Sequence, residues 1–184
     1  MLKPLPKDFI FERYGLTVRL VNESDTEYIL SLRTDKKLSK YIHKTDDSVA
    51  KQLDWFKKYK IRESENRDYY FLYLKDGKPV AVNRVYNICE YFGTPGSWLC
   101  SPNNDIEVSM ATHFILHDII FEILQLDFTV FDVQKANKQV WKMHIKCGAK
   151  MVSESDIYYY FVTTKQDYFS HRDSFLQLLG LNKY

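Results

Sequence analysis

Apolar and polar positions recur with two different periods along this chain, and the switches between them mark its elements. Residues 16–21 (LTVRLV) alternate as a first strand. Ser24 and Glu27 have the spacing of a capping box, and the helix they open carries Tyr28, Ile29 and Leu32 on one face. A second helix is predicted to start near Asp47, with Leu53, Trp55, Phe56 and Tyr59 near helical spacing. Residues 69–74 (YYFLYL) and 79–88 (PVAVNRVYNI) read as strands joined by a hairpin turn at Asp76 and Gly77. A loop bearing Gly93, Pro95 and Gly96 leads to a short apolar strand at 97–100 (SWLC). The polar turn 101–105 (SPNND) feeds a helix to about Leu124, with Ile106, Met110, Phe114, Ile120 and Phe121 among its apolar positions. Asn104 and Glu107 repeat the capping-box spacing at its start. Residues 128–133 (FTVFDV) make a strong strand, and Asn137 precedes a helix that Gly148 ends as a C-cap. Strands at 149–153 and 157–163 and a helix over 165–179 follow. Residues 1–13, with Pro4 and Pro6, read as a leader lying along the surface.

Hairpins followed by a strand–helix–strand crossover predict a mixed α/β fold. The sheet is expected to hold about seven strands, largely antiparallel, flanked by helices and splayed between the fourth (97–100) and fifth (128–133). The crossover leaves a helix N-terminus beside the end of a strand, where a phosphate-bearing ligand can sit. No repeat, low-complexity run or linker interrupts the 184 residues, so a single domain is expected over 1–184, with 165–184 as its C-terminal helix and tail.

Composition narrows the function classes. The chain is 45% hydrophobic and 27% charged, as soluble globular folds are. Aromatics reach 16%, with 14 Tyr and 12 Phe, which suits tyrosine-rich strand faces or an aromatic-lined pocket for a sugar or base. A net charge of +2 without a basic block argues against a nucleic-acid partner. The aromatic run 158–161 also lacks the interleaved Arg or Lys that an RNA-binding strand needs. Cys89, Cys100 and Cys147 are odd in number and lack CxxC spacing, so free thiols of a reducing cytosol are expected and a zinc site is not. His113 and His117 lie four apart on one helix without a third ligand, so no metal is expected there either. With no apolar run of signal-peptide or membrane-span length, the expected location is cytoplasmic, without a membrane partner.

After the 128–133 strand, residues 133–149 (VQKANKQVWKMHIKCGA) place Asn137, a helix with an aromatic residue, then Lys146, Gly148 and the small Ala149. This pattern resembles the signature of the GNAT superfamily of acyl-CoA-dependent N-acyltransferases. Trp98, Leu99 and the helix bearing Ala111, Thr112 and Phe121 are similar to its earlier segments, and the resemblance covers about residues 15–164. Within the superfamily, two groups of residues resemble bacterial acetyltransferases of surface-polysaccharide amino sugars: 84–88 (RVYNI) with 96–98 (GSW), and 131–133 (FDV) with Asn137 and His144. One segment departs from the pattern. Where the superfamily usually has R/Q-x-x-G-x-G/A, this chain has 106–111 (IEVSMA), with no glycine. The first backbone amides of a helix stay available as donors whatever the side chains. Ser109 and Ala111 keep the turn small and Thr112 adds a hydroxyl, but Glu107 brings negative charge near where phosphates would lie.

The resemblance implies acetyl-CoA as co-substrate, gripped at Ser109, Met110, Ala111 and Thr112. Its pantetheine arm would run along the backbone of Trp98, Leu99 and Cys100, with Asn137 reaching it from the opposite strand; Asn137 equally fits a helix N-cap. His144 stands where many members carry a tyrosine that protonates the departing thiolate. An imidazole, with an ordinary pKa of about 6.5, can do the same, and a packed helix histidine has the same spacing. Glu107 is a candidate base, or it completes the Asn104 cap. Cys100 as an acyl carrier has no activating neighbour in the sequence. Arg84 and Tyr86 share a strand face, either as an exposed face or as a site where Arg84 meets a sugar-nucleotide phosphate. Trp55 is expected to wedge the second helix against the sheet. The implied reaction is direct attack by a primary amine on the thioester, needing proximity, proton removal and donors for the oxyanion. The expected acceptor is an amino sugar, nucleotide-linked in the narrower form of the reading. The alternatives are a peptide or protein N-terminal acetyltransferase and a non-catalytic GNAT-like protein with a degenerate CoA loop. A homodimer is compatible with the sequence.

Overall fold

A computed structural model of the chain describes residues 3–42 and 48–181. Strands β1 (Ile10–Arg13) and β2 (Leu16–Leu20) form a hairpin, followed by helices α1 (Thr26–Thr34) and α2 (Val49–Ser64). Strands β3 (Asp68–Lys75), β4 (Lys78–Tyr86) and β5 (Phe92–Cys100) make an antiparallel meander. Helix α3 (Ile106–Asp118), extended by a π-turn over Ile119–Ile123, crosses to β6 (Phe128–Gln134). Helix α4 (Lys138–Lys146), strands β7 (Lys150–Glu154) and β8 (Tyr158–Thr164) and helix α5 (Lys165–Leu178) complete the described chain. The eight strands lie in the order β1-β2-β3-β4-β5-β6-β8-β7, antiparallel at every step except β5 to β6.

Helices cover both faces of the sheet, so alternate residues of one strand enter different cores. Tyr69, Phe71, Tyr73, Ala81 and Val85 pack with α3 and α5. Tyr70, Leu72, Val82 and Leu99 pack with α1 and α2. Trp55 stacks on Tyr59 at 5.6 Å and meets Tyr70 edge-on at 6.0 Å, the wedge between α2 and the sheet that its spacing predicts. Helix α3 is buried almost all round, as its apolar composition requires. The fully buried Asp118 at its end is compensated by Arg13 at 2.7 Å, Arg172 at 3.0 Å, and the hydroxyls of Tyr14 and Tyr168 at 2.8 and 2.7 Å. Among the described residues, no helix is long and apolar enough to cross a membrane.

Several local expectations are corrected. The leader contains a strand, β1, closed onto β2 by Tyr14 and Gly15, both at positive φ (52° and 73°) as a tight hairpin turn needs. This adds one strand to the expected seven. The supposed loop at Gly93, Pro95 and Gly96 lies inside β5, where Pro95 opposes Val85 and Gly96 opposes Arg84. Gly93 is there for packing, because a Cβ would lie 2.7 Å from Val85 Cγ2. The first capping box sits two residues earlier than expected. Asn22 accepts from the Ser24 amide at 3.0 Å, and Asp25, already held by Arg19, accepts from the Asn22 amide at 2.8 Å. The second box does not form, because Asn104 Nδ2 donates to the Val80 carbonyl at 2.8 Å and Asp105 occupies the cap position. The start of the second helix at Asp47 falls outside the described residues, as do residues 1–2 of the leader and 182–184 of the tail.

Candidate active site

Strands β5 and β6 are paired only at Phe92↔Phe128 and Gly93↔Thr129. Farther on, β5 turns away. Ser97 and Trp98 together oppose the single Asn83 of β4, and Ser97 takes a φ of 50°. A bulge of this kind bends its strand and interrupts the ladder. The rest of β5, as far as Cys100, therefore presents its backbone to an open notch where β6 would otherwise lie.

A cavity of about 220 Å³ occupies this notch, and its lining comes from both faces of the sheet. Asn137, just before α4, and Val140 and His144 of α4 line one side, while Tyr86, Asp132 and the α1–α2 connection at Tyr41 and Ile42 line the other. The division follows from strand alternation. Phe131 and Val133 pack beneath α4, so Asp132 between them faces the opposite side.

The structure brings Tyr86, Trp98, Asn137 and His144 of the expected site residues together around this cavity. Asn137 precedes α4 without a side-chain capping bond, so its carboxamide is not spent on the helix. The His144 ring lies 4.6 Å from that of Phe131 and 5.2 Å from that of His113, which in turn lies 4.3 Å from His117. Burial, with a smaller contribution from His117, pushes the His144 pKa down to about 3. His113 is pushed well below the usual imidazole value by burial and by its two histidine neighbours, and burial lowers His117 also. The site therefore holds neutral imidazole at physiological pH, not the imidazolium that an ordinary histidine would partly supply. His117 Nδ1 donates to the His113 carbonyl at 2.9 Å. Among the described residues, no three His, Cys, Asp or Glu side chains come together as metal ligands.

The remaining expected residues do not line the cavity. Leu99 is buried against α1 and α2, leaving its backbone at the notch. The Thr112 hydroxyl is fully engaged inside the fold: it accepts from Trp98 Nε1 at 2.8 Å and donates to the Ser109 carbonyl at 2.7 Å. Met110 and Ala111 belong to the core, and Ser109 is half-buried. Burial pushes the Cys100 thiol up, which keeps it protonated and unsuited to carry an acyl group. Glu107 is exposed in the first turn of α3 and does not line the cavity. Arg84 is not a free cation. Its guanidinium donates to the buried Asp68 (Nε to Oδ1 2.6 Å) and lies over the rings of Tyr86 at 4.7 Å and Trp55 at 5.4 Å. It props the cavity wall at Tyr86.

Two contributions escape a reading of the sequence. The α1–α2 connection is remote in sequence from every motif. Asp132 carried a signal, because a carboxylate inside the otherwise apolar 128–133 run is out of place in a central strand unless a crevice opens there.

No family model matches the sequence, and no curated protein does. Solved structures match it over nearly its whole length. The chain is similar to FdhC, described as a nucleotide-linked sugar GNAT in its apo form, with 28% identity and a TM-score of 0.83 over 94% of this chain and 99% of that one. It is similar in fold to a spermidine N-acetyltransferase from Vibrio cholerae in complex with CoA and spermine, at 15% identity and a TM-score of 0.71 over 84% of this chain and 98% of that one. A ribosomal-protein-S5-alanine acetyltransferase from Vibrio fischeri shares the fold at 16% identity and a TM-score of 0.72, over 88% and 99% of the two chains.

Proposed function

We propose that this chain, which belongs to the GNAT superfamily of acyl-CoA-dependent N-acyltransferases, moves an acetyl group from acetyl-CoA to the primary amine of an amino sugar, preferentially a nucleotide-linked one. The observation that carries the reading is the notch between β5 and β6, lined from both faces of the sheet, so that two substrates can meet from opposite sides. The sugar acceptor is favoured over a polyamine or peptide terminus because FdhC, a sugar GNAT, is 28% identical, against 15% and 16% for the other two. We place the reaction in the cytoplasm, in keeping with three free thiols.

The residues present fit acetyl-CoA. Asp105 makes no side-chain bond at the head of α3, so the first amides of the helix are free to meet a diphosphate, aided by the helix dipole. The small Ser109 and Ala111 stand where the superfamily usually has glycine, the bulkier Met110 between them is packed in the core, and Ile106 is 65% exposed. Asp105 and Glu107 are the unfavourable charges at this helix end, and both stand in solvent. Beyond the bulge, β5 offers its backbone to an extended pantetheine arm, with Asn137 across the notch. Bound there, acetyl-CoA supplies an activated acyl carbonyl.

The chain's own groups do the rest. The cavity aligns the amine with the carbonyl, and β5 amides near Leu99 donate to the oxygen on which charge develops. His144, neutral at working pH, takes a proton from the nitrogen as the C–N bond forms. The resulting imidazolium is a strong acid for the same reason that the free base is neutral. It gives the proton to sulfur as the C–S bond breaks.

The test is acetyl transfer from acetyl-CoA, read by release of free thiol and by product mass, across nucleotide-linked amino sugars, spermidine and peptides with free N-termini. Turnover confined to the amino sugars is expected. Preference for peptides would overturn the acceptor, and absence of acetyl-CoA binding at millimolar ligand would overturn the reaction.

A further inference from the structure

Asp132 is a carboxylate on β6, an inner strand of the sheet between β5 and β8. It sits opposite Tyr160 of β8, and Tyr86 and Tyr158 line the same cavity. Its neighbours Phe131 and Val133 are buried beneath α4, whereas Asp132 itself is exposed. Among the described residues it has no ion pair and no hydrogen bond, and Arg84 of β4 is held by Asp68. The negative charge of Asp132 reaches Tyr86, whose hydroxyl it helps hold in the protonated form, after the larger effect of burial. An acid at such a place contributes nothing to the packing of β6 and is disfavoured by strand propensity. Arg33 is the other charged side chain lining this cavity, and among the described residues Asp132 makes no ion pair with it.

We infer that Asp132 selects the acceptor's amine: its carboxylate binds the incoming ammonium and takes the first proton from it. The inference rests on the acetyltransfer reading and names the group that reading leaves unassigned. An amine arrives at neutral pH mainly as R–NH3⁺, which has no lone pair for attack. Transfer of one N–H proton to the Asp132 carboxylate leaves R–NH2 and a neutral carboxylic acid, which returns the proton to water because the side chain is exposed. The second proton lost, as the C–N bond forms, belongs to His144 on the other side of the notch. The two steps are thereby divided between the two faces of the sheet. A charge-assisted bond of this kind also explains selectivity, since a hydroxyl in place of the amine brings no charge to pair with the carboxylate.

The experiment compares UDP-glucosamine with UDP-glucose, which differs by one hydroxyl for the amine, by calorimetry in the presence of CoA, on wild type, Asp132→Asn and Asp132→Glu. Wild type is expected to prefer the amine by about tenfold or more, as charge-assisted bonds contribute. Asp132→Asn is expected to lose that preference while keeping its affinity for UDP-glucose and for CoA, and Asp132→Glu to restore part of it. Equal binding of both sugars by wild type, binding of neither, or an undiminished preference in Asp132→Asn overturns the assignment. Thermal melting of the Asn variant checks that the fold is kept. If wild type prefers the amine but transfers no acetyl group, the acetyltransfer reading falls while the amine assignment stands.

Discussion

Acidification from pH 8 to pH 5 is expected to destabilise this protein by about 3–4 kcal/mol through its buried histidines. His113 is held well below the ordinary imidazole value and His144 is pushed down to about 3, both chiefly by burial. In the unfolded chain each returns to about 6.5. Below that value the unfolded state binds protons that the folded state does not, so stability falls as pH falls and is fully present only above the unfolded pKa. For a histidine still neutral in the fold at pH 5, the loss between pH 8 and pH 5 is about 2 kcal/mol. His144 borders the cavity and is half-buried, so solvent screening reduces its share to about 1–2 kcal/mol. His117, lowered in the same direction, adds to the loss. Carboxylates do not confuse the window. Asp35, Asp54 and Asp167 are held below their ordinary value of 3.8, so their contributions are lost only as pH falls below it. The sum is a large part of the stability of an ordinary domain. It corresponds to a drop in Tm of about 10 °C for a chain of this size. Urea titrations and melts at pH 8, 6.5 and 5 measure it. His113→Phe keeps an aromatic ring between Trp98 and His117 but removes one titrating group, so its profile should be flatter by about 2 kcal/mol. A wild-type Tm that stays level between pH 8 and 5, or a His113→Phe profile as steep as wild type, refutes the reasoning.

His144→Phe is expected to lower kcat about 100-fold, the order that a positioned proton-transfer group contributes, with stability at pH 8 preserved; unchanged kcat would return His144 to the packing of α4. In Gly96→Ala the new Cβ would lie 2.9 Å from Tyr86 Cε1, and that ring is backed by Arg84 at 4.7 Å. The variant should lose about 1 kcal/mol and raise KM for the acceptor but not for acetyl-CoA, and equal effects on both would remove Tyr86 from the acceptor side. Arg84→Met leaves the buried Asp68 with Arg62 alone at 2.9 Å, for an expected loss of about 3 kcal/mol by urea denaturation. A loss below about 1 kcal/mol would mean that Arg84 is dispensable to the cavity wall.

The elements legible in the sequence were those whose signal is local. Period-two alternation found β2, short strand-like runs found β3, β4, β6 and β8, and turn chemistry found the Asp76–Gly77 hairpin, whose residues take φ of 50° and 73°. The motif after β6 located α4 and its end at Gly148, where φ is 96°. Strand β5 was read short because Gly93, Pro95 and Gly96 look like loop residues, and only the close approach of Val85 explains a glycine inside a strand. Strand β1 was missed because four residues with a Tyr–Gly turn give too weak a periodic signal.

The sequence by itself therefore determined the order of elements, the crossover and the candidate pair Asn137 and His144, because each is encoded within a few neighbouring residues. Tertiary structure alone decided which of the candidates share a cavity. Arg84 was withdrawn from it by Asp68, a strand away, and Thr112 by Trp98. His144 acquired its neutral form from desolvation, and Asp132 its place from the divergence of β5 and β6. Solvation and pairing of charge depend on neighbours that the chain brings together only on folding, and no local pattern of residues records them.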